Sequence, residues 1–202
     1  MKKTIVFLAA VLIGLGLYAQ AGFKVGETVT DFTLTNPLTG ETVSMADYEE
    51  AEGFILVFTC NHCPYAQMYE QRIMELAEEF NAKGYPVIAI NPNDPTAYPD
   101  DSPENMAKQA EEMRYPFPYV FDETQEVAKA YGATRTPETR VIERTEEGLV
   151  LRYRGAIDDN YKKPDAVEQT YTADAVNALR NGEAVEPTSA KAVGCSIKWR
   201  KS

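Results

Sequence analysis

Apolar and polar positions alternate along this chain in patterns that mark out its elements. Phe32-Thr33-Leu34-Thr35 alternates as a half-buried strand does. Asn36-Pro37-Leu38-Thr39-Gly40 is a turn, and Glu41-Thr42-Val43 returns as a hairpin partner. Phe54-Ile55-Leu56-Val57-Phe58 is apolar throughout, the mark of a strand covered on both faces. From about Pro64, Tyr65, Tyr69, Ile73, Leu76 and Phe80 recur at intervals of three or four residues, which makes one face of a long helix. Gly84 ends it, and Pro86–Asn91 is a second buried strand. Strand, helix and strand make a βαβ unit, with parallel strands and a right-handed crossover.

The segment from Pro92 to Pro103 reads as a polar loop, rich in Pro, Asp and Asn. Ser102 then caps a helix with Pro103 in its first turn and Met106, Ala110 and Met113 facing inward. Tyr119–Phe121 is a short strand. Asp122-Glu123-Thr124-Gln125 has the form of a capping box, opening a helix that runs through Tyr131 and stops at Gly132. Thr139–Arg144 and Leu149–Arg154 pair antiparallel around Glu146-Glu147-Gly148. Ala173–Leu179 is a last helix, and the tail from Glu183 shows no regular pattern. The predicted fold is an α/β sandwich with a parallel core, an antiparallel edge and an N-terminal β-hairpin.

The apolar run Ile5–Leu17 stands apart from these elements. Lys2 and Lys3 precede it, and Ala19-Gln20-Ala21 follows as a small-x-small cleavage signal. Residues 1–21 therefore read as a secretory signal peptide and 22–202 as the mature domain, with cleavage before Gln20 an alternative. The run is shorter than the roughly 20 residues that span a bilayer, which disfavours an uncleaved membrane anchor. The expected location is the periplasm or the exterior, where disulfides persist.

Composition changes the picture in two ways. The net charge of −11 lacks the basic footprint of a nucleic-acid binder and disfavours anionic membrane surfaces. His62 is the sole histidine, so any metal site built from two or more histidines is excluded. Three cysteines are too few for a disulfide-framework scaffold.

The chemical centre is Cys60-Asn61-His62-Cys63-Pro64, at the junction of a buried strand and a long helix. A helix N-terminus offers unpaired N–H groups and a favourable dipole to a thiolate. Placed at that terminus, Cys60 would be the exposed low-pKa thiol, and Cys63, one turn in, the sheltered partner that resolves a mixed disulfide. A protonated His62 would lower the Cys60 pKa further. The bland readings are an inert Cys60–Cys63 disulfide or half of a metal site. Covalent haem attachment requires C-x-x-C-H, and Pro64 stands at the histidine position. No cofactor and no metal are expected. Thr136-Pro137 is the second signal: a cis Pro137 would present the Thr136 backbone to an extended substrate beside the cysteines, whereas a trans proline would merely open a strand.

Buried strand, C-x-x-C-P, helix, strand and Thr-Pro before an antiparallel pair together resemble the thioredoxin superfamily. The resemblance spans roughly residues 24–182, and implies a thioredoxin-like α/β sandwich with an insertion between the C-x-x-C helix and a cis-proline. Phe58–Tyr65, Gly155–Tyr161 and Gly194–Trp199 are similar, more narrowly, to the bacterial peroxiredoxin-like thioredoxin family, the alkyl hydroperoxide reductase, thiol-specific antioxidant and TlpA-like group. That implies catalytic Cys60 and Cys63, a modulating His62 and substrate-positioning Thr136 and Pro137. It also implies protein thiols or disulfides as substrates, and a further, unidentified thiol partner for electron transfer.

The departures bear on the antioxidant side of that family. The peroxide-reducing motif P-x-x-x-T-x-x-C would need Thr at Val57 and Pro at Gly53; Thr59 is out of register, and Arg135 or Arg140 is what remains to serve as the peroxide-site arginine. The buried acid of thioredoxin would fall near Phe54 and is missing. Cys195 reads either as a small buried residue or as a third thiol. Asp158-Asp159 reads as a cap or solvated face rather than a cation site. The expected activity is thiol–disulfide exchange on exported proteins, with a thiol-dependent peroxidase and a non-enzymatic binding module as alternatives.

Overall fold

A computed structural model describes residues 22–201; the signal-peptide expectation lies outside these described residues. The hairpin forms as expected, from β1 (Leu34–Thr35) and β2 (Thr42–Val43), with Leu34 opposite Val43. β3 (Gly53–Phe58) is buried at every position. It leads to α1 (Pro64–Phe80) and then β4 (Val87–Asn91), which pairs parallel with β3. Gly84, at φ 82°, closes the 3₁₀ turn that follows α1, in the left-handed region a side chain would disfavour.

α2 (Pro103–Met113) carries the expected cap, with Ser102 accepting from the Asn105 N–H. Met106 and Ala110 face inward, but Met113 is 40% exposed. Arg114 turns left-handed directly after it, so the periodic face ends one turn early. β5 (Tyr119–Phe121) adds to β4 in parallel. α3 (Glu126–Ala130) starts later than the capping-box reading placed it. Gln125 sits at φ 62°, and its side chain donates to Pro92 O and Lys198 O, while Asp122 accepts from the Ala128 N–H. These longer-range bonds displace the box. Gly132 ends the helix at φ 61° as expected.

β6 (Arg135–Thr136), β7 (Glu138–Thr145) and β8 (Gly148–Gly155) follow, then α4 (Tyr171–Arg180). The tail is more ordered than its sequence pattern implies. It supplies β9 (Ser189–Ala190), parallel to β8, and β10 (Cys195–Ser196), antiparallel to β6. The main sheet runs β2-β1-β5-β4-β3-β7-β8-β9, with a parallel core of β5, β4 and β3 and an antiparallel β3-β7-β8 side. α2 and β5 are the insertion between α1 and Pro137.

Strand alternation sorts the core onto two faces. Ile55 and Val57 pack with Tyr69, Ile73, Leu76 and Phe80 of α1 and Ala175 and Val176 of α4. Phe54, Leu56 and Phe58 point the other way, toward Ala128 and Tyr131 at α3. The register Phe58↔Glu138 brings the start of β7 against the end of β3. Thr136 and Cys60 thus meet at the carboxyl end of the parallel strands, the usual place for a site in an open α/β sheet.

Candidate active site

α1 starts at Pro64, so Cys63 is its N-cap and Cys60 lies one loop turn earlier, just past β3. Cys60, expected at the helix N-terminus, thus lies ahead of it, and Cys63, expected one turn in, caps it. Both thiols are buried, Cys60 at 3% exposure and Cys63 at 0%. Both are free, as is the half-buried Cys195. Thr136, whose bond to Pro137 is cis, serves both sulfurs: its Oγ1 lies 3.1 Å from Cys60 Sγ, and its carbonyl accepts from Cys63 Sγ at 3.3 Å.

The loop that reads as polar and solvated delivers the site's charged group. Asp101 is fully buried. Its Oδ1 accepts from the backbone N–H groups of Asn61 (2.7 Å) and His62 (3.2 Å); its Oδ2 bonds His62 Nδ1 (2.5 Å) and accepts from Asn93 Nδ2 (2.9 Å). The carboxylate therefore holds the C-x-x-C loop by both backbone and side chain. Tyr98 stacks on the His62 ring at 4.0 Å, and Tyr119 OH donates to Asn61 Oδ1. His62 therefore meets the cysteines as the partner of Asp101 and not as an isolated ring.

These surroundings divide the two thiols. When both are protonated, Cys63 donates to Thr136 O. The hydrogen bond from Cys60 pulls the Cys63 thiol down to about 4 against the opposing push of burial, helped by the Cys195 side chain and the N–H groups of Ala66 and Cys195. Cys60 moves the other way: its hydrogen bond to Cys63, then burial, then the Asp101 carboxylate push it well above the usual thiol range. These directions favour a thiolate on Cys63, whereas helix position alone would favour one on Cys60.

Cys60 Sγ, a His62 ring nitrogen and an Asp101 oxygen lie within 4.8 Å of one another, as a metal site would require. Four donors already occupy the Asp101 oxygens. A cation would have to displace them, so the cluster fits a proton better than a metal.

The remaining sequence candidates fall into place around this centre. Arg140 is wholly buried on Glu138, Tyr131 O and Thr139 O, and Arg135 donates to Gly194 O. Glu138 also accepts from the N–H groups of Thr134 and Arg135, which fixes the approach to Pro137. Both arginines are bonded into the scaffold, with Arg140 Nη2 buried and unpartnered among the described residues. Val57 and Gly53 are buried strand positions with no polar side chain to hold a peroxide. Asp158 is buried and bonded to Arg72, Tyr69 OH and the Asn160 N–H, a clamp between α1 and the segment after β8. Cys195 packs against Cys60, Cys63 and Ala66.

Comparison with known proteins agrees with this architecture. The sequence model of the AhpC/TSA family matches residues 25–162. The chain is 28% identical over 149 residues to the thiol-disulfide oxidoreductase ResA of Geobacillus thermodenitrificans, covering 71% of this chain and 80% of that one. The crystal structure of an uncharacterized conserved protein from Geobacillus kaustophilus superposes with a TM-score of 0.82 at 41% identity, covering 89% of this chain and 94% of that one. The peroxidoxin BcpB of Mycobacterium tuberculosis shares the thioredoxin-like fold, with a TM-score of 0.57 at 21% identity over 78% of this chain and 97% of that one.

Proposed function

The chain belongs to the AhpC/TSA family, and on that premise we propose that it is an exported thiol–disulfide oxidoreductase acting on protein substrates through Cys60 and Cys63. The observation that carries this reading is the pair of free thiols at a strand-to-helix junction, both bonded to Thr136. The likeness to ResA supports the same chemistry. The missing Thr and Pro of the peroxide site, at Val57 and Gly53, weigh against a peroxidase within this family.

Cys60 is the client-facing sulfur, because it stands in the loop between β3 and α1, whereas Cys63 is the helix N-cap. In the reducing direction it attacks a client disulfide as its proton passes to the Cys63 thiolate. A mixed disulfide forms on Cys60, and one client sulfur leaves as a thiolate. Cys63 gives its proton to that leaving thiolate and attacks Cys60, which closes the Cys60–Cys63 disulfide and frees the second client sulfur. The client gains two electrons and the pair loses two. An outside thiol partner then restores the dithiol, or the same steps run backwards on a reduced client. His62 and Asp101 tune the proton held beside Cys60, and the Thr136 side chain and Pro137 border the client's approach, because the Thr136 backbone expected to receive an extended client is paired with Cys195 of the tail.

Export rests on Lys2, Lys3, the apolar Ile5–Leu17 run and Ala19-Gln20-Ala21. Cleavage there leaves residues 22–202 as a thioredoxin-like domain in the periplasm or outside the cell. Among the described residues no helix is long and apolar enough to cross a membrane.

The test is catalysed reduction of insulin by dithiothreitol, followed by turbidity. The mature chain should accelerate it, and Cys60→Ala and Cys63→Ala should each abolish the acceleration. Equal activity of the double variant would exclude the pair as the catalytic group.

A further inference from the structure

Cys195 stands on β10, directly across the two-stranded ladder from Thr136. The carbonyl of that same Thr136 accepts from Cys63 Sγ at 3.3 Å. Cys195 and Cys63 are thereby brought to one backbone position from two sides, and both belong to one packed cluster with Cys60. The arrangement is held by more than the ladder. Gly194 O accepts from Arg135 Nη1, and Ile197 N–H donates to Thr134 O. Lys198 donates to Asn93 Oδ1, and its carbonyl accepts from Asp94 N–H and Gln125 Nε2. Gly194 itself passes so close that a Cβ there would lie 2.4 Å from Thr136 O. The tail is therefore fitted to this edge, and it sets Cys195 at the residue whose carbonyl holds Cys63.

We infer that Cys195 is a third redox thiol of this site, one that exchanges disulfide with Cys63. This inference rests on the redox reading of Cys60 and Cys63 given above. In the oxidised protein, the Cys195 thiolate attacks the Cys63 sulfur of the Cys60–Cys63 disulfide. A Cys63–Cys195 bond forms, the Cys60–Cys63 bond breaks, and Cys60 leaves as a thiolate that takes up the proton Cys195 gave away. Two electrons stay with the set of three sulfurs throughout, so no outside oxidant or reductant is needed. The consequence is a second oxidised form, in which the disulfide is stored under the tail while Cys60, the client-facing sulfur, is free.

The experiment uses the mature chain carrying Cys60→Ser, oxidised with diamide, alkylated, and mapped by digestion and mass spectrometry. Both remaining thiols should disappear together into an intrachain Cys63–Cys195 disulfide. Recovery of both as alkylated thiols, or their capture only in chain-to-chain dimers, would overturn the inference. Cys195→Ser, treated alike, should still close Cys60–Cys63. If that variant fails to close as well, the underlying redox reading falls; if it closes and Cys60→Ser does not, only the third thiol falls. Oxidised wild-type protein supplies a check independent of substitution at Cys60: peptides linking Cys63 to Cys195 should appear beside those linking Cys60 to Cys63. Mapping of the second link alone in the wild type would also overturn the inference.

Discussion

Asp101 bonds His62 Nδ1 at 2.5 Å across a separation of 39 residues, and so places a buried carboxylate beside Cys60. Its negative charge opposes a thiolate on Cys60. Asp101→Asn removes that opposition, stabilises the reduced anion and should make the couple more oxidising. His62→Ala leaves the carboxylate without its partner and should make it more reducing. Each pKa unit of thiolate stabilisation corresponds to about 30 mV for a two-electron couple. Potentials of the two variants against glutathione buffers should move in opposite directions from the wild type. Movement in the same direction would show that the dyad does not act through charge.

Asp101 also shows where sequence patterns stop being informative. The βαβ unit around the cysteines is legible because Phe54–Phe58 and the Tyr69, Ile73, Leu76, Phe80 face have periods that only a buried strand and an amphipathic helix share. Asp101 lies in an aperiodic stretch whose composition reads as solvent-exposed, and its burial follows from long-range bonds to Asn61, His62 and Asn93. Nothing local marks it; its place directly before the Ser102-Pro103 cap is the one hint. The thioredoxin acid sought near Phe54 is thus absent there, while another element brings a different acid to the thiols. Strands β9 and β10 are two residues each, too short for alternation to show, and exist because Arg154 and Thr136 offer them partners. The Asp122–Gln125 pattern failed for a similar reason, since Gln125 is claimed by Pro92 and Lys198.

The protonation of the pair has a signature in the pH dependence of the couple. With Cys63 depressed to about 4 and Cys60 raised, the reduced pair holds one proton across the neutral range. Reduction then takes up one proton per two electrons, and the potential should fall by about 30 mV per pH unit between pH 6 and 8. A fall of about 59 mV per unit would mean that both thiols are protonated there.

The same shifts affect the stability of the reduced protein. The folded Cys63 pKa is depressed, so its contribution is present above the unfolded value of about 8.5 and is lost as pH falls toward 4. Cys60 is raised, so its contribution is full below about 8.5 and declines above it. Together they predict greatest thiol-linked stability near the unfolded thiol pKa. Denaturant unfolding of reduced and oxidised protein across pH 5–10 checks this: the difference between them should peak near pH 8 to 9 rather than vary in one direction.

The Cys60 and Cys63 roles separate by trapping. Cys63→Ala should accumulate client proteins as mixed disulfides on Cys60, since the thiol that resolves them is gone. Cys60→Ala should trap far fewer. Diagonal gels of exported proteins after thiol blocking would show the difference, and trapping mainly by Cys60→Ala would reverse the roles.

Arg72 and Asp158 form a clamp between α1 and the segment after β8, with Asp158 also held by Tyr69 OH. Arg72→Leu strands a buried carboxylate and should cost about 3 kcal/mol of unfolding free energy. The Cys60–Cys63 potential should stay at its wild-type value, because the clamp makes no bond to either thiol. A loss below about 1 kcal/mol would place the clamp among weak surface pairs.

The most direct test of the account is a glutathione redox titration of the mature protein, with alkylated thiols counted by mass and assigned by peptide. One pair of thiols should be lost in a single two-electron transition, Cys63 with Cys60 or, in the second oxidised form, Cys63 with Cys195, and both should return with dithiothreitol. A Cys60–Cys63 link that never forms, or persistence of all the thiols in fully oxidising buffer, would contradict it.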